Sequence, residues 1–543
     1  MTTLALNLIV RDEEAMLPAC LASVAGVVDE LVVVDTGSRD ATVALARAAG
    51  AKVVEVAWED DFSAPRNCAI EATESDWVLV LDADERLTPA AGRALREAID
   101  ADDFDCGFVV LHTASKLDAE LDDVVRGQDR LGEGAFLPRV MRHTPDLRFT
   151  GIIHENVGSW LAAGGRRPRM LEGVDVVHLG GVPDVRAQRD KRARNVRLLE
   201  RACELSPDDV APFGYLAHEL LEAGDRTRAG EVADRGWQLV LRGTSAMDLS
   251  IVRLASAYAW LRVQSAEARE AVEALDRVLA AVDNQPDLHF IRGCAFEQLG
   301  VVAGTREERE ARFHEAIASY ERARSLDHRA VLQKFIGGCT GWAALIRIGS
   351  VLLALGHPEE ALGAFEAALA QRSESREAAL GRVEALLGAG ELAVAARAVR
   401  PLLDERPDGY TLAALLAEAA GRLPELTSLV SAARERLSVG FVSPHRRERY
   451  FDALAALSLY CGTPGQVPGP LGQLALLAAG TFEAAPLALA RPLDGAMARR
   501  IVRHLLVAGN TTLVEPLADP RAEALLPGIA AIVDSVVGEL ERR

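Results

Sequence analysis

The stretch Asp76 to Glu85 reads DWVLVLDADE, four strand-forming residues, Val78 to Leu81, that end in Asp82, Ala83, Asp84 and Glu85. Carboxylates this close raise one another's pKa unless a cation or a set of donors sits among them. Taken alone the cluster fits a solvated turn; with other ligands converging on it, it fits a cation site. Downstream, LPRVMRH contributes Arg139 and Arg142, FTGIIHE contributes His154 and Glu155, and DVVHLGG contributes His178. Aspartates with one imidazole make a hard, oxygen-rich site suited to Mn²⁺ or Mg²⁺ bridging a diphosphate, rather than to structural zinc. On that reading the metal and the substrate phosphates relieve the repulsion among Asp82, Asp84 and Glu85. Upstream, VVVDTGSRDAT sets Asp35 after an apolar run and before Thr36, Gly37 and Ser38, where a carboxylate beside a glycine-containing turn can accept hydrogen bonds from a nucleoside. FSAPRNCAI supplies Arg66 and Asn67.

Strand signals alternate with helical ones up to about residue 185. Strands are expected at Leu4 to Val10, Glu30 to Val34, Lys52 to Val56 and Trp77 to Leu81, with helices at Ala15 to Ala25 and Asp40 to Ala49. That alternation predicts βαβ crossovers and a Rossmann-like, mostly parallel sheet covered on both faces, with ligands at the carboxyl ends of its strands. Asp35 and Asp82 both fall at such ends.

Past about residue 200, Ala, Leu, Glu and Arg recur at helical spacing and a fixed period appears. Leu345, Gly349, Leu352, Gly356, Ala361, Phe365 and Ala368 follow Trp342 as the small and large positions of a tetratricopeptide helix pair. Leu386, Gly390, Ala395, Val399, Leu402 and Pro407 repeat the pattern, with Gly390 and Ala395 each thirty-four residues beyond their counterparts. An earlier unit, with Gly293, Phe296, Gly300, Ala316, Tyr320 and Ala323, keeps phase only if about eleven residues around VVAGTREERE lie between its two helices, and a weaker one begins near Val210. The expected organisation is an α/β domain at 1–185, a linker helix at 186–206, an all-α TPR-like solenoid at 207–436 and a helical cap at 437–543. Such arrays offer a concave protein-binding face.

Composition narrows the classes. The 543 residues suffice for several domains, and the seven scattered cysteines, with no CxxC pair, fit a reducing cytoplasm better than a disulfide framework. A formal net charge of −20 argues against general attraction to nucleic acid or anionic lipid. The apolar start, Thr3 to Val10, is too short for a signal peptide, and no uncharged apolar run reaches the roughly 18 residues of a spanning helix. The expectation is a cytoplasmic protein without a membrane span.

In order, LNLIVRDEE, VVVDTGSRDAT, FSAPRNCAI, DWVLVLDADE, GIIHE and VHLGG with KRARNVRLLE resemble family 2 glycosyltransferases of the GT-A fold, over roughly residues 4–200. The repeats narrow the resemblance to the bacterial subgroup with fused tetratricopeptide repeats, which includes peptide S-glycosyltransferases and flagellin glycosyltransferases. The resemblance implies an inverting transfer from a nucleotide sugar, a UDP-sugar first, to a Ser, Thr or Cys side chain of a peptide or protein docked on the repeats. It implies that the loop Val10 to Glu13 holds the base, that Asp35 contacts the nucleoside, and that Arg66 and Arg139 join the donor site. Asp82 then approaches the ribose or the donor sugar, Asp84 binds Mn²⁺ or Mg²⁺, and His178 is a second ligand or a diphosphate contact. Glu155, about seventy residues after the Asp-x-Asp, matches the catalytic carboxylate of inverting members. Where the family usually has Glu-Asp this chain has His-Glu, so His154 stands beside Glu155 as a candidate base. A glycan or lipid-linked acceptor, a non-catalytic repeat scaffold and a nucleotidyltransferase are the competing readings, and the repeat surface would also suit a homodimer.

Overall fold

The computed structural model describes residues 2–163, 165–182, 192–243, 250–326, 336–419, 423–436 and 529–541. Most of the cap expected at 437–543 lies outside the described residues, which hold only a helix at Ile529–Glu541 there; so do residues 186–191 of the expected linker, whose helix is described over Arg192–Leu205. The chain forms two compact units, Met1–Arg292 with Ser325–Gly338, and Gly293–Arg324 with Cys339–Arg543.

The first unit is built on eight strands: β1 Leu4–Val10, β2 Glu30–Asp35, β3 Lys52–Glu55, β4 Trp77–Val80, β5 Glu85–Leu87, β6 Cys106–Ala114, β7 Arg130–Arg142 and β8 Pro168–His178. They lie in the order β3-β2-β1-β4-β7-β6-β8-β5. β1 to β4 are mutually parallel, as the βαβ alternation predicts. The other half mixes directions: β7 runs antiparallel to β4 and to β6, β8 parallel to β6, and β5 antiparallel to β8. Period-two side-chain alternation covers both faces. Leu4, Leu6 and Leu8 pack with Leu17, Leu95 and Ile99 on one side, and Val78 and Val80 with Ile70, Met141 and Trp160 on the other.

One boundary differs from the expected pattern in a way that matters for the site. β4 stops at Val80, Asp82 to Glu85 close a turn through the Glu85 N–H to Asp82 carbonyl bond (2.9 Å), and Glu85 opens β5. Antiparallel pairing then sets Glu85 opposite His178, and the Leu179 N–H donates to the Asp84 carbonyl at 2.9 Å. The acidic turn is thus carried to the C-terminal end of β8.

Helices follow in hairpins. Within the first unit, Val210–Glu222 and Arg226–Leu241 form the weak repeat expected near Val210, their N-termini capped by Asp209 and Asp225. The next pair, Ser250–Gln264 and Ala268–Leu279, falls inside the expected solenoid but has no repeat unit of its own in the sequence expectations. In the second unit, Trp342–Leu355 with Pro358–Gln371 and Arg376–Gly388 with Leu392–Val399 match the two in-phase copies. A Cβ on Gly349 would lie 2.8–2.9 Å from the Phe365 ring and one on Gly293 2.4 Å from Tyr320, so each small position receives an aromatic ring from the partner helix. The extra residues around VVAGTREERE do not form a long loop. They lengthen helices to Pro286–Val301 and Arg306–Ser325, leaving a four-residue connection at 302–305. Among the described residues no helix is long and apolar enough to cross a membrane, and Cys20, Cys68, Cys106, Cys203, Cys294 and Cys339 are free thiols.

Phe365 is fully buried between its helix pair and the next. Phe365→Ala is expected to destabilise the helical repeats by about 3–5 kcal/mol, read as an earlier loss of helical circular dichroism in urea. A variant with an unchanged midpoint would mean the ring is not what the small positions are shaped around.

Candidate active site

The C-terminal ends of β1, β2 and β4 open into a cavity of about 620 Å³, lined by loop residues of the sheet and by Arg194 and Asn195 of the helix Arg192–Leu205. Two strand-end loops are laced together at its rim. The Asp12 N–H donates to Ser38 Oγ (2.9 Å), the Arg39 N–H to Asp12 Oδ1 (2.7 Å) and the Glu13 N–H to Thr42 Oγ1 (2.8 Å). Val10 and Glu13, expected to hold a base, line the cavity. Asp35 does not; it is buried beside it, where its Oδ2 accepts from the Gly37 and Ser38 N–H groups at 3.0 Å each and its Oδ1 has no hydrogen-bond partner. An unpartnered buried carboxylate oxygen is costly unless a ligand donor reaches it.

The floor is a charge network. Arg66, on the helix Ser63–Ala72 and only 4% exposed, donates through Nη2 to Asp82 Oδ1 (2.5 Å), through Nε to Glu155 Oε1 (3.2 Å) and through Nη1 to the Leu81 carbonyl (3.5 Å). One guanidinium fork therefore ties two carboxylates that are distant in sequence. Burial alone would raise the Asp82 pKa, but Arg66 and Arg139 outweigh it and hold the carboxyl below its usual range, while 43% of its side chain stays open. Glu85 departs from expectation. It is buried away from the cavity, accepts the Asp82 N–H (3.0 Å) and pairs with Arg139 Nη2 at 2.5 Å. Arg139, expected in the donor site, likewise is not among the cavity-lining residues: it reaches Glu85 first and Asp82 at 3.5 Å. Two arginines thus pair with Asp82 and Glu85, yet burial, with Asp82 and Asp84 beside it, still pushes the Glu85 pKa up to about 7 against the pull of Arg139.

Asp84 and His178 are brought together. His178 Nε2 lies 3.7 Å from Asp84 Oδ1, and both line the cavity. A Cβ on Gly180 would come within 2.1 Å of Asp84 Oδ2 and 2.8 Å of His178 Nε2, so only glycine lets the two approach. The turn that presents Asp84 is stapled from beneath: Arg86 Nη1 donates to the Ala83 (2.7 Å) and Glu85 (2.8 Å) carbonyls, its Nη2 to the Met16 carbonyl (2.8 Å), and the buried Cys20 thiol to the Asp82 carbonyl (3.5 Å). A carboxylate and an imidazole could hold a hard divalent cation. No group of three or more His, Cys, Asp or Glu able to hold a metal occurs among the described residues, so the remaining ligands of such an ion would be substrate oxygens and water.

His154 and Glu155 both line the cavity on a loop closed by paired backbone bonds between Thr150 and Asn156. The His154 ring stacks on Tyr215, centroids 4.0 Å apart and planes 16° from parallel. Desolvation, with Arg253 nearby, lowers its pKa from the ordinary 6.5 to about 4. Sequence reasoning passed over Trp58 and Phe62, an edge-to-face pair (4.7 Å, 67°) on one wall, and Gly180, Arg86 and Tyr215. FSAPRN and HLGG carried part of that signal, in the phenylalanine before the arginine and the glycine after the histidine.

Residues 8–158 match the model of glycosyl transferase family 2. The chain is 39% identical over 232 residues to a TPR repeat-containing protein of Synechococcus elongatus, covering 41% of this chain and 54% of that one. It is 25% identical over 222 residues to the SPbeta prophage-derived glycosyltransferase SunS of Bacillus subtilis, covering 40% and 49%. The chain thus spans about half the length of these relatives. Glucosyl-3-phosphoglycerate synthase from Mycobacterium tuberculosis, solved with Mn²⁺ and uridine-diphosphate-glucose, is 25% identical over 20% of this chain and 44% of that one, with a TM-score of 0.19.

Arg66→Leu leaves Asp82 and Glu155 without their shared counter-charge and is expected to cost about 3 kcal/mol in urea denaturation at pH 7. Because Arg66 holds the folded-state pKa of Asp82 below its unfolded value, the wild-type advantage is present above pH ~4 and shrinks as pH falls through the folded value. Equal stability of variant and wild type at pH 7 would mean that solvent, not Arg66, carries these charges.

Proposed function

We propose, from the match of residues 8–158 to the glycosyl transferase family 2 model and from the tetratricopeptide-like helix pairs that follow it, that the protein is an inverting glycosyltransferase. It moves a sugar from a nucleotide-sugar donor, a UDP-sugar, to a Ser, Thr or Cys side chain of a peptide or protein that docks on the repeats. The observation that carries this reading is the Asp84–His178 pair, spaced by Gly180 and lying in the same cavity as the Glu155–Arg66–Asp82 network.

The residues divide the work. The Val10–Glu13 loop with Trp58 and Phe62 encloses the base, and Asp35, buried beside the cavity, orders the adjoining turn through the Gly37 and Ser38 N–H groups. Asp84 and His178 hold Mn²⁺ or Mg²⁺, which when bound offsets charge on the diphosphate. Asp82, fixed by Arg66, faces the sugar with its open side. Glu155 takes the proton from the acceptor hydroxyl or thiol; the freed electron pair attacks the anomeric carbon, and the bond from that carbon to the diphosphate oxygen breaks. The anomeric centre inverts because no covalent enzyme intermediate forms. Arg66 orients Glu155 through the 3.2 Å bond to Oε1, so the base and the sugar-facing carboxylate keep a fixed separation. The acceptor class is supported by the repeats, whose stacked helix pairs suit an extended polypeptide.

Thermal melting with UDP and UDP-sugars, with and without Mn²⁺, tests the donor assignment, since a ligand bound only to the folded state raises the melting temperature. A metal-dependent rise is expected in the wild type and is lost in Gly180→Ala. No rise with any nucleoside diphosphate would overturn the transferase reading. Glu155→Gln is expected to keep the rise yet lower transfer to a peptide acceptor, followed by mass spectrometry, by about 10²–10⁴-fold. Undiminished transfer in that variant would move the base elsewhere.

A further inference from the structure

We propose that Tyr215, in the first helix pair of the repeats, is a positioning residue for the catalytic loop, and that His154 is the anchor it grips rather than the base. This rests on the transferase reading for its kinetic consequence, but the structural part stands apart from it.

The loop that carries Glu155 is fixed at its base and exposed to choice at its tip. Thr150 and Asn156 exchange backbone bonds of 2.9 and 3.0 Å. Just before them, Asn67 holds Phe149 in both directions: Phe149 N–H to Asn67 Oδ1 at 2.8 Å, and Asn67 Nδ2 to the Phe149 carbonyl at 3.0 Å. The Phe62 N–H donates to the Ile152 carbonyl at 2.9 Å. Beyond these ties the chain turns over at His154, whose φ is +55°, in the left-handed region. A residue with a side chain adopts that conformation at a cost of roughly 1–2 kcal/mol, so something must hold it there.

The holding contact is aromatic. The His154 imidazole has no hydrogen bond among the described residues, and its contact is the parallel stack on Tyr215 at 4.0 Å. Tyr215 is itself fixed: it is half-buried on the helix Val210–Glu222, and the Arg253 guanidinium of the helix Ser250–Gln264 lies 4.3 Å from its ring centroid. Behind it, Gly214 meets the Leu254 backbone so closely that a Cβ would lie 2.7 Å from the Leu254 nitrogen, which sets the two helices in contact beneath the stack. Glu155 is the next residue after the anchored one. With its backbone set by His154 and its carboxylate set by Arg66, it has two independent constraints, one from the repeats and one from the sheet. A His154 pressed flat on Tyr215 is well suited to fixing a backbone turn, and a preorganised base gains rate by not having to find its position.

The test uses the full chain without ligand and then with a UDP-sugar, Mn²⁺ and a peptide acceptor. Hydrogen–deuterium exchange of the 150–156 segment is expected to rise about tenfold in Tyr215→Ala and to stay at the wild-type level in Tyr215→Phe, which keeps the ring. Turnover is expected to fall about tenfold in Tyr215→Ala, with the donor KM within twofold of wild type and Tyr215→Phe restored. His154→Gly, which adopts a positive φ freely, is expected to lose no more than about tenfold. The double variant is expected to be no slower than the slower single one, because both act on one contact. Unchanged exchange in a folded Tyr215→Ala overturns the positioning role, and a loss of 10³-fold or more in His154→Gly makes His154 the base. If the wild type transfers no sugar, the exchange data still decide the loop's dependence on Tyr215, so the two readings fail separately.

Discussion

Everything at the mouth of the sheet depends on two arginines that make the acidic turn tolerable. Asp82, Asp84 and Glu85 fall within five residues of the buried end of β4, and three like charges in low dielectric would drive the turn open or protonate it. Arg66 takes Asp82 and Arg139 takes Glu85, each at 2.5 Å. This demand reaches far along the chain. Arg66 must come from the helix Ser63–Ala72 and Arg139 from β7, so the antiparallel insertion of β7 beside β4 is part of the electrostatic solution as well as of the sheet. With Arg139 against it, Glu85 enters β5 as a buried strand residue although burial still raises its pKa to about 7, and its pairing with His178 sets Asp84 beside the end of β8.

The second constraint is steric. Glu85 pairs in register with His178, and the chain then passes through Leu179 to Gly180. Any side chain at 180 would occupy the space between Asp84 and His178. The carboxylate and the imidazole are therefore neighbours because a strand pair aligns them and a missing Cβ leaves room. The staple of Arg86 and Cys20 beneath the turn keeps Asp84 from relaxing towards solvent. The geometry of the pair is set by the backbone, with the side chains as its outcome.

These causes explain what could be read in the sequence and what could not. The parallel half of the sheet was legible because β1, β2 and β4 are apolar on both faces, with Asn7 the one polar residue inside them and the others at their ends. The Gly349 and Phe365 pattern was legible because close helix approach needs a small residue at a fixed distance from a large one. Asp84, His178, Glu155 and Arg66 stood out by type and order. The roles of Arg139 and Glu85 did not, because an ion pair between β7 and β5 is a matter of register, and register is invisible until the antiparallel strands are laid down. Asp35 was expected in the cavity and sits beside it, since its other oxygen is drawn into the turn by two backbone N–H groups. The helix pair at 250–279 fell inside the expected solenoid but was not picked out as a unit: Ser250–Gln264 is buried over most of its length and lacks a one-sided stripe, although its partner Ala268–Leu279 has one.

The sheet alone does not finish the cavity. Arg194 and Asn195 line it from the helix Arg192–Leu205, Arg194 lies over Phe62 at 5.1 Å, and Arg197 pairs with Asp60 at 2.8 Å. Arg201 reaches the Glu59 carbonyl at 3.4 Å, so one face of that helix is spent on the loop that carries Trp58 and Phe62. The Tyr215 ring stacks on His154, so the first helices touch cavity-lining residues at a second place within one compact unit. A helix that merely tethered an acceptor-binding array would have no need of these contacts. Their cost in ordered arginines is justified only if the helices help to shape the site.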